Sequence, residues 1–542
     1  MSERLKKLVN DALVKLSLPP VDFAVFFTND LINGDYASNA ALVLSKKTGE
    51  KPNALTAKII AEIVKNQPEY LEKIEVAGAG FINFFLSPKF FAAELGRVLQ
   101  AGDDYGKGQK LNGQKVVVEY TDPNPFKEFH IGHLMSNAIG EATSRLIEAS
   151  GAEVKRACYQ GDVGLHVAEA IWGWQAGERE WGRAYARGSQ AHEDKPEARK
   201  QIEALNKKIY ERSDPELNRL YDEGKRFSLN QFEKIYGRLG TTFDFYFFES
   251  ESGSFGKKIV EENLGKIFEP SGGAVVFRGE KWGFHTRVFV TKDSLPTYEA
   301  KELGLAKMKQ EQWPHDLSLV VTGNEVNDYF QVVLVAMKEV LPEEAAKTRH
   351  LSHGMLRLPS GKMSSRTGKV ITAEALIDEV KQLAREKTEQ DDIAEKVAVG
   401  AIKYTILKQS PGRDIVFDLN KSVSLAGDSG PYLQYTYVRA KSVLEKSGHE
   451  VHPISDLPEA PSELARLIPR FGETAARAAA EYAPQYLVTY LIDLAGAFNS
   501  FYAKNQIIGS QEEEYRLILT SAVAQILKSG LWLLGIPAPE RM

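Results

Sequence analysis

The feature that most constrains this chain is an apolar run that passes through a proline-punctuated loop into a helical pattern, at residues 116–133. The three consecutive valines at 116–118 predict a buried parallel strand, because such strands are covered on both faces. Pro123 and Pro125 end this strand and hold the chain extended. Apolar residues at helical spacing follow and stop at Gly151, a residue type that favours the position just past a helix end.

A second apolar run, at 154–159, completes a strand–helix–strand unit, with His130-Ile131-Gly132-His133 where the first strand meets the helix. In an open parallel sheet, ligands bind beyond the carboxyl ends of the strands. A helix N-terminus offers free N–H groups to a phosphate, and imidazoles add further donors. Gly132 has no side chain to keep a ligand from the backbone. These residues predict a nucleotide phosphate site, the alternative being two histidines that merely cap a core helix.

A second stretch of this kind, Leu-Pro-Ser-Gly-Lys-Met-Ser-Ser-Arg-Thr-Gly, lies at 358–368. Its lysine and serines suit a polyphosphate, although a solvated surface loop is the alternative. Together the two stretches resemble the HIGH and KMSKS signatures of class I aminoacyl-tRNA synthetases. The resemblance implies catalysis by His130, His133, Lys362 and Ser364. It implies that ATP is bound by His130, Gly132, His133, Met355, Lys362, Ser364 and Ser365.

Composition limits the remaining classes. The chain has 542 residues, 43% of them hydrophobic, and a net charge of −5, so contacts with RNA require local basic patches. The single cysteine, Cys158, excludes a disulfide within the chain and a cysteine-rich zinc site. No apolar run approaches the roughly twenty residues that span a bilayer, and no secretory signal is recognisable. We therefore expect a cytoplasmic protein with no membrane contact.

The pattern predicts three domains around an α/β core. Residues 1–108 read as a small α+β domain, 109–378 as a Rossmann-like parallel-sheet catalytic domain, and 379–542 as an all-α domain. A charged helical insertion at about 172–235 is expected to contribute surface more than chemistry.

Two further strands are predicted in the catalytic domain, at 286–291 and 317–322. Each precedes a polar turn and a helix. The ends of these strands are expected to converge on a polar pocket.

The whole chain resembles the arginyl-tRNA synthetase family. The resemblance rests on Gly-Asp-Tyr-Ala-Ser-Asn at 34–39, Ala-Gly-Phe-Ile-Asn at 79–83, Gly-Pro-Tyr-Leu-Gln-Tyr at 430–435, Ala-Phe-Asn-Ser-Phe-Tyr at 497–502 and the final Pro-Glu-Arg-Met. It implies that the N-terminal domain binds the tRNA elbow and that the helical domain binds the anticodon. Aromatic and polar side chains that suit contact with RNA are Phe81 and Asn83, expected to be exposed, and Tyr435 and Arg439.

The same resemblance implies a substrate pocket. Glu119 matches a carboxylate that pairs with a guanidinium, Asn124 an asparagine that binds the α-amino end, and Tyr298 a tyrosine that lines the pocket. A carboxylate suits this role because it accepts two parallel N–H bonds. The other predicted substrate-binding residues are Asp122, which replaces a small hydroxyl residue of the family, Asp162, and Glu302, which replaces an aspartate.

The predicted activity is ATP-dependent activation of L-arginine to arginyl-adenylate, followed by transfer to the terminal ribose of tRNA-Arg. Mg²⁺ is expected to accompany ATP through phosphate oxygens and water, with no protein ligand. A monomer is expected. Three alternatives stay open: a class I synthetase for another amino acid such as lysine, an inactive RNA-binding paralogue, and a small HxGH nucleotidyltransferase. The helical C-terminal third argues against the last.

Overall fold

The computed structural model describes residues 1–357, 372–386, 388–457 and 460–542. The chain divides into two units, each assembled from separate segments. The first unit contains Met1–Lys107, Tyr435–Arg477 and Thr489–Gly530. The second unit contains Gly108–Gln434, Ala478–Val488 and Leu531–Met542. The three domain boundaries drawn from the sequence stay a prediction.

The N-terminal part of the first unit packs helices on an antiparallel sheet, whose strands lie in the order Val25–Phe27, Tyr36–Ser38, Phe81–Leu86 and Leu71–Ala77. Alternation along the strand Phe81–Leu86 places Ile82 and Phe84 in the core. Within the stretch at 34–39 that carries the family resemblance, Tyr36–Ser38 form a strand whose backbone pairs with Phe81–Leu86. The elements are α1 (Ser2–Lys15), β1 (Val25–Phe27), β2 (Tyr36–Ser38), α2 (Ala40–Thr48), α3 (Pro52–Val64), β3 (Leu71–Ala77), β4 (Phe81–Leu86) and α4 (Pro88–Ala101).

A five-stranded parallel sheet organises the second unit, which confirms the predicted Rossmann-like architecture. Its strands lie in the order Thr348–His353, Leu317–Gly323, Lys115–Glu119, Glu153–Gln160 and Phe245–Phe248. The valine run forms its middle strand and is buried on both faces, as its composition requires. The strands and the first helix are β5 (Lys115–Glu119), α5 (Ile131–Ala149), β6 (Glu153–Gln160), β7 (Phe245–Phe248), β11 (Leu317–Gly323) and β12 (Thr348–His353).

The predicted insertion consists of helices that follow β6 in the chain. That it contributes surface more than chemistry stays a prediction, but it also forms a core: Phe126 of the β5–α5 loop packs edge-on against Trp181 at 5.0 Å and lies 5.9 Å from the Tyr221 ring. A large aromatic that follows a strand needs an apolar cover, and the insertion supplies it. The helices are α6 (Leu165–Gln175), α7 (Trp181–Asp194), α8 (Pro196–Glu211) and α9 (Pro215–Leu239).

The strand predicted at 286–291 exists, but it does not join the parallel sheet. It pairs antiparallel in a separate three-stranded sheet, because the chain on its N-terminal side forms a hairpin beside it. That the end of this strand contributes to the polar pocket stays a prediction. The elements here are α10 (Glu249–Glu262), β8 (Phe268–Ser271), β9 (Ala274–Phe277), β10 (Arg287–Val290) and α11 (Tyr298–Gln312).

Helices α10 and α11 approach each other closely through glycines. A Cβ atom on Gly256 would lie 1.8 Å from the carbonyl oxygen of Ala300, and one on Gly304 would lie 2.0 Å from that of Ser252. Only residues without a side chain permit this spacing. The contact brings the polar residues of α11 against α10 at the edge of the pocket.

The remaining described chain is mostly helical, as predicted. Across the described ranges, no helix has the length and apolar character needed to cross a bilayer. The elements are α12 (Asn327–Val340), α13 (Pro342–Lys347), β13 (Leu356–Arg357), α14 (Ala373–Arg385), α15 (Asp391–Leu407), β14 (Ile415–Val416), α16 (Leu419–Ser422), α17 (Gly430–Ser447), α18 (Glu463–Leu467), α19 (Arg470–Ala480), α20 (Gln485–Lys504) and α21 (Glu513–Leu533).

Candidate active site

The loop between β5 and α5 has an unusual backbone. Thr121, Asp122 and Phe126 have φ angles of 82°, 46° and 70°, a region that residues with side chains rarely adopt. Helix α5 holds the loop in place, since Ser136 Oγ accepts a bond from the Thr121 amide at 3.0 Å and donates to Val321 O at 2.8 Å. Such conformations cluster where side chains must point at a ligand, so this loop is the first candidate for the site.

The two predicted histidines cap the N-terminus of α5 reciprocally. His130 Nδ1 accepts from the Gly132 amide at 3.1 Å, and His133 Nδ1 accepts from the His130 amide at 3.3 Å. Their rings stack with centroids 3.7 Å apart. Burial lowers the pKa of His130 to about 4, and lowers that of His133 well below its usual range, with nearby Lys127 acting in the same direction on both. Both rings are therefore neutral near pH 7 and carry their proton on Nε2, which leaves Nε2–H as a donor.

The predicted residues of the second signature, Lys362, Ser364 and Ser365, lie outside the described residues. The next described residue downstream, Thr372, forms an antiparallel bridge with His130, and Ala373 N donates to Phe129 O at 2.8 Å. Thr372 and Ala373 therefore lie beside the first signature.

Met355, the remaining predicted ATP contact, follows the end of β12 and is 40% exposed. Its amide donates to Asp414 Oδ1 at 2.9 Å, and its carbonyl accepts from the Ile415 amide at 2.8 Å. The backbone of Met355 is thus held in place by residues far along the chain, while its side chain faces out.

Glu119 ends β5 on the same face as Val117, and that face is covered by α11. The carboxylate is 1% exposed, and its Oε2 accepts from Lys309 Nζ at 2.7 Å. Among the described residues, no group donates to its Oε1. A buried carboxylate is thus half satisfied and has one acceptor available.

Two more predicted substrate residues contribute acid to the same place. Asp122 Oδ1 accepts from the Tyr159 amide at 2.8 Å. Burial raises the pKa of the Asp122 carboxyl well above its usual range, and the charge of Glu119 raises it further. Burial and the charge of Glu119 likewise raise the pKa of Glu302. Within the described ranges neither residue forms an ion pair, so this cluster attracts a cation.

Asn124 lies against the β6–α6 loop. A Cβ atom on Gly161 would lie 2.2 Å from Asn124 Oδ1, so only glycine leaves room for the amide in this position. The neighbouring Asp162 is fully buried, and its two oxygens accept four bonds from Tyr221, Lys225 and Ser250, at 2.7–2.8 Å. Asp162 therefore fastens the insertion to the start of α10, and its contact with substrate stays a prediction.

Tyr298 begins α11 and is 55% exposed. Next to it, Lys301 Nζ donates to Glu249 Oε2 at 2.5 Å and lies 5.2 Å from the Tyr298 ring centroid. Burial disfavours the lysine charge, but Glu249 and the Tyr210 hydroxyl together outweigh burial and raise the pKa of Lys301. An aromatic ring therefore lies beside a buried ion pair at the start of α11.

Sequence reasoning missed three charged residues of this site: Glu249, Lys301 and Lys309. A signal was present, because Lys301, Leu305 and Lys309 are spaced by four residues and share one buried face of α11. Lysines on the apolar face of a helix require acidic partners. The sequence could have shown that partners exist, but the partners lie 52 and 190 residues away.

The two predicted RNA-contacting residues of the N-terminal domain differ in exposure. Phe81 is partly buried and packs edge-on against exposed Phe26, with ring centroids 6.3 Å apart. Asn83 was expected to be exposed, which is wrong: it is 5% exposed, because β4 is an inner strand flanked by Ala37 and Glu75 at this register. Contact of either residue with RNA stays a prediction.

In the C-terminal part of the first unit, Tyr435 and Arg439 are brought together. The Arg439 guanidinium lies 4.7 Å from the Tyr435 ring centroid and 5.2 Å from that of Tyr502. Nη2 donates to the Tyr435 hydroxyl at 3.2 Å, and Nη1 bonds to Asn499. Aromatic rings around an arginine form a surface on which bases stack, so the pair keeps its predicted role as a hypothesis.

Within the described ranges, no group of three or more histidine, cysteine, aspartate or glutamate side chains is placed to hold a metal ion. The structure therefore assigns no residue to Mg²⁺. What the site offers is neutral N–H donors at a helix N-terminus beside an acidic pocket, an arrangement that suits a phosphate next to a cationic group.

Three family models match the chain. Their descriptions are "Arginyl tRNA synthetase N terminal domain" over residues 3–86, "tRNA synthetases class I (R), catalytic domain" over 94–419, and "DALR anticodon binding domain" over 433–542. Together they span most of the sequence.

Curated relatives match over the full length. An arginine–tRNA ligase of Clostridium perfringens is 31% identical over 568 residues, covering 99% of this chain and 100% of the relative. One from Clostridium kluyveri is 30% identical with the same coverage. Among solved structures, Thermus thermophilus arginyl-tRNA synthetase superposes with a TM-score of 0.84 at 26% identity, covering 100% of both chains. The Plasmodium falciparum arginyl-tRNA synthetase, at 21% identity and TM-score 0.81, covers 100% of this chain and 99% of its own and shares the fold.

Proposed function

This chain belongs to the class I arginyl-tRNA synthetases. On that premise we propose which of its residues bind arginine, ATP and tRNA and which take part in catalysis. The activity is that of the family: L-arginine is activated by ATP to arginyl-adenylate and transferred to tRNA-Arg. A lysine-specific synthetase and an inactive paralogue are not favoured, since the matched catalytic model and the curated relatives are those of arginine enzymes.

Arginine is held by the acidic pocket at the end of β5. The observation that carries this proposal is the open Oε1 of Glu119 in a cluster with Asp122 and Glu302, which lack cationic partners of their own among the described residues. A guanidinium supplies the missing positive charge and several donors. Asn124 binds the α-amino end and Tyr298 covers the side chain.

The adenylate forms by attack of the arginine carboxylate on the α-phosphorus of ATP, and pyrophosphate leaves. The Nε2–H groups of His130 and His133 donate to the α-phosphate region as neutral imidazoles, together with the free N–H groups of α5. Gly132 keeps the approach open. Lys362, Ser364 and Ser365 bind the other phosphates, and Met355 lies beside the base. Positioning and charge stabilisation account for catalysis here, because little covalent chemistry falls to the protein.

The other parts of the chain serve the tRNA. Residues 1–108 bind its elbow, with Phe81 and Asn83 near the contact, and 379–542 bind the anticodon, with Tyr435 and Arg439. Transfer uses the 2′-hydroxyl of the terminal ribose. Mg²⁺ would accompany ATP and would supply positive charge at its phosphate oxygens. The protein acts as a cytoplasmic monomer.

Arginine-dependent ATP–pyrophosphate exchange, measured with and without total tRNA, tests the assignment. Exchange with arginine, only or mainly when tRNA is present, supports the activity and its coupling to tRNA. Exchange with lysine in place of arginine would assign the pocket to a different substrate. Tight binding of tRNA without any exchange would indicate an inactive relative.

Replacing Glu119 with Gln tests the pocket. We expect the KM for arginine to rise at least about tenfold, because a charge-assisted hydrogen bond is lost, while the KM for ATP stays within about twofold. An equal rise in both constants would assign Glu119 a structural role. Circular dichroism melting of both proteins controls for loss of fold.

A further inference from the structure

Lys309 lies in the last turns of α11 and is 4% exposed. Its ammonium donates to Glu119 Oε2 at 2.7 Å and to Ser318 Oγ at 3.0 Å. Ser318 is itself 2% exposed, at the start of β11. The lysine is thus anchored at two points and holds the Glu119 carboxylate through one oxygen only.

The charges around Lys309 are unequal. The acids that act on one another here are Glu119, Asp122 and Glu302, and Lys309 is the single cation that forms an ion pair with any of them among the described residues. A buried carboxylate is stable only beside a positive charge. Lys309 supplies that charge for Glu119 and leaves the other two acids for a second cation, the substrate.

We propose that Lys309 is a positioning residue for arginine recognition: it fixes the Glu119 carboxylate by Oε2, directs Oε1 to the substrate guanidinium, and disfavours substrates with an ammonium group. This inference rests on the proposed function, in which Glu119 is the arginine ligand.

The selectivity follows from how the two cations carry their charge. A guanidinium spreads one charge over three nitrogens, is weakly hydrated, and donates to several acceptors in one plane. An ammonium concentrates its charge on one strongly hydrated nitrogen. A substrate that binds Glu119 places its cation close to the Lys309 ammonium in a buried site. The repulsion between the two cations is larger for a concentrated ammonium charge than for a delocalised guanidinium charge.

The first experiment compares Lys309→Met with the unmodified protein in tRNA-supported pyrophosphate exchange, with arginine and with lysine. We expect the KM for arginine to rise about 30-fold, the size of one lost charge-assisted contact, with kcat and the KM for ATP within about twofold. We also expect the ratio of kcat/KM for arginine to kcat/KM for lysine to fall about tenfold. A merely structural role would not change that ratio.

Lys307 provides the matched control. It lies on the same helix, but its side chain is 41% exposed and its nearest acids are Glu344 and Glu311, at 3.6 and 3.9 Å. Lys307→Met should leave both constants and the ratio unchanged. If Lys309→Met fails to fold, Ser318→Ala removes the second anchor without changing charge, and should raise the KM for arginine about threefold.

The double variant Glu119→Gln with Lys309→Met separates the outcomes. A positioning residue acts through Glu119, so the double variant should bind arginine no more weakly than Glu119→Gln alone. If Glu119→Gln leaves the KM for arginine unchanged, the proposed pocket is wrong. If Glu119→Gln raises it while Lys309→Met and Ser318→Ala do not, the pocket stands and the role of Lys309 is overturned. An unchanged arginine-to-lysine ratio in Lys309→Met overturns the selectivity.

Discussion

Lys301 and Lys403 are buried to nearly the same degree, 4% and 0% exposed, in two regions of the second unit. Lys301, on α11, contacts the carboxylate of Glu249. Lys403, on α15, donates to two backbone carbonyls, Leu239 O at 2.6 Å and Gly535 O at 2.7 Å. The same residue type is therefore paired with a full charge in one region and with partial charges in the other.

The pKa values of the two lysines move in opposite directions. Burial lowers the pKa of both, but at Lys301 Glu249 and the Tyr210 hydroxyl together outweigh burial and raise the pKa. At Lys403 burial dominates and lowers the pKa to about 7, with Glu141 opposing it only in part. A formal negative charge offsets the loss of hydration, whereas carbonyl dipoles do not. Burial alone thus says little about a lysine until its partners are known.

The largest expected effect comes from breaking the charged pair. Lys301→Met leaves Glu249 buried without a cation and should lower the free energy of unfolding by about 3–5 kcal/mol. Urea unfolding followed by circular dichroism measures this change. The matched control, Lys301→Met with Glu249→Gln, removes both charges and should recover a large part of the loss. Equal losses in the single and double variants would show that the two side chains do not depend on each other.

The effect of Lys403 depends on pH. Between about pH 7 and about pH 10.5, the unfolded lysine holds a proton that the folded one has lost. The unfolded state then binds more protons, so the free energy of unfolding rises with pH, by about 1.4 kcal/mol per unit from this group. Below about pH 7 both states are protonated and the group costs stability.

Lys403→Met removes this dependence. Urea unfolding of both proteins from about pH 6 to about pH 9 should show the unmodified protein gaining stability relative to the variant only above about pH 7. Parallel pH profiles would mean that Lys403 keeps its proton in the folded state, and the contrast with Lys301 would lose its basis.

The smallest effect on stability is expected for an exposed ion pair between a lysine and an aspartate. Lys7 and Asp11 lie one helical turn apart on α1, with Nζ 2.7 Å from Oδ2 and side chains 76% and 53% exposed. Lys7→Ala should change the free energy of unfolding by about 0.5 kcal/mol or less, and less still at high salt. A change as large as that of Lys301→Met would show that ion pairing determines a lysine's contribution to the free energy of unfolding whether or not the pair is buried.

Much of the catalytic core could be predicted from local sequence. The valine run and the helix that follows it define a strand–helix–strand unit, since a doubly covered strand and an amphipathic helix have different periods. The placement of the two histidines at the N-terminus of α5 follows from their position between the strand and the helix of that unit. These features depend on neighbours within a few residues, which is why they can be seen in the chain itself.

The sheets show where local reasoning ends. The run at 286–291 has the composition of a strand, and it forms one, but composition does not say which neighbour it pairs with. Asn83 alternates correctly with the core residues of β4, yet it is covered because β4 has a strand on each side. Exposure and pairing depend on the order of strands in space.

By itself the sequence determined the strand and helix of the nucleotide site, the acidic residue at the end of β5, and the family. Each of these can be identified from adjacent residues or from short motifs at separate places in the chain. Only the tertiary structure decided which cation meets Glu119, which carboxylate meets Lys301, and that Lys403 meets no carboxylate within hydrogen-bonding distance among the described residues. The reason is that ionic partners are selected by distance in space, across 52 to 190 residues of chain in the two ion pairs, while side-chain periodicity records only which face of an element is buried.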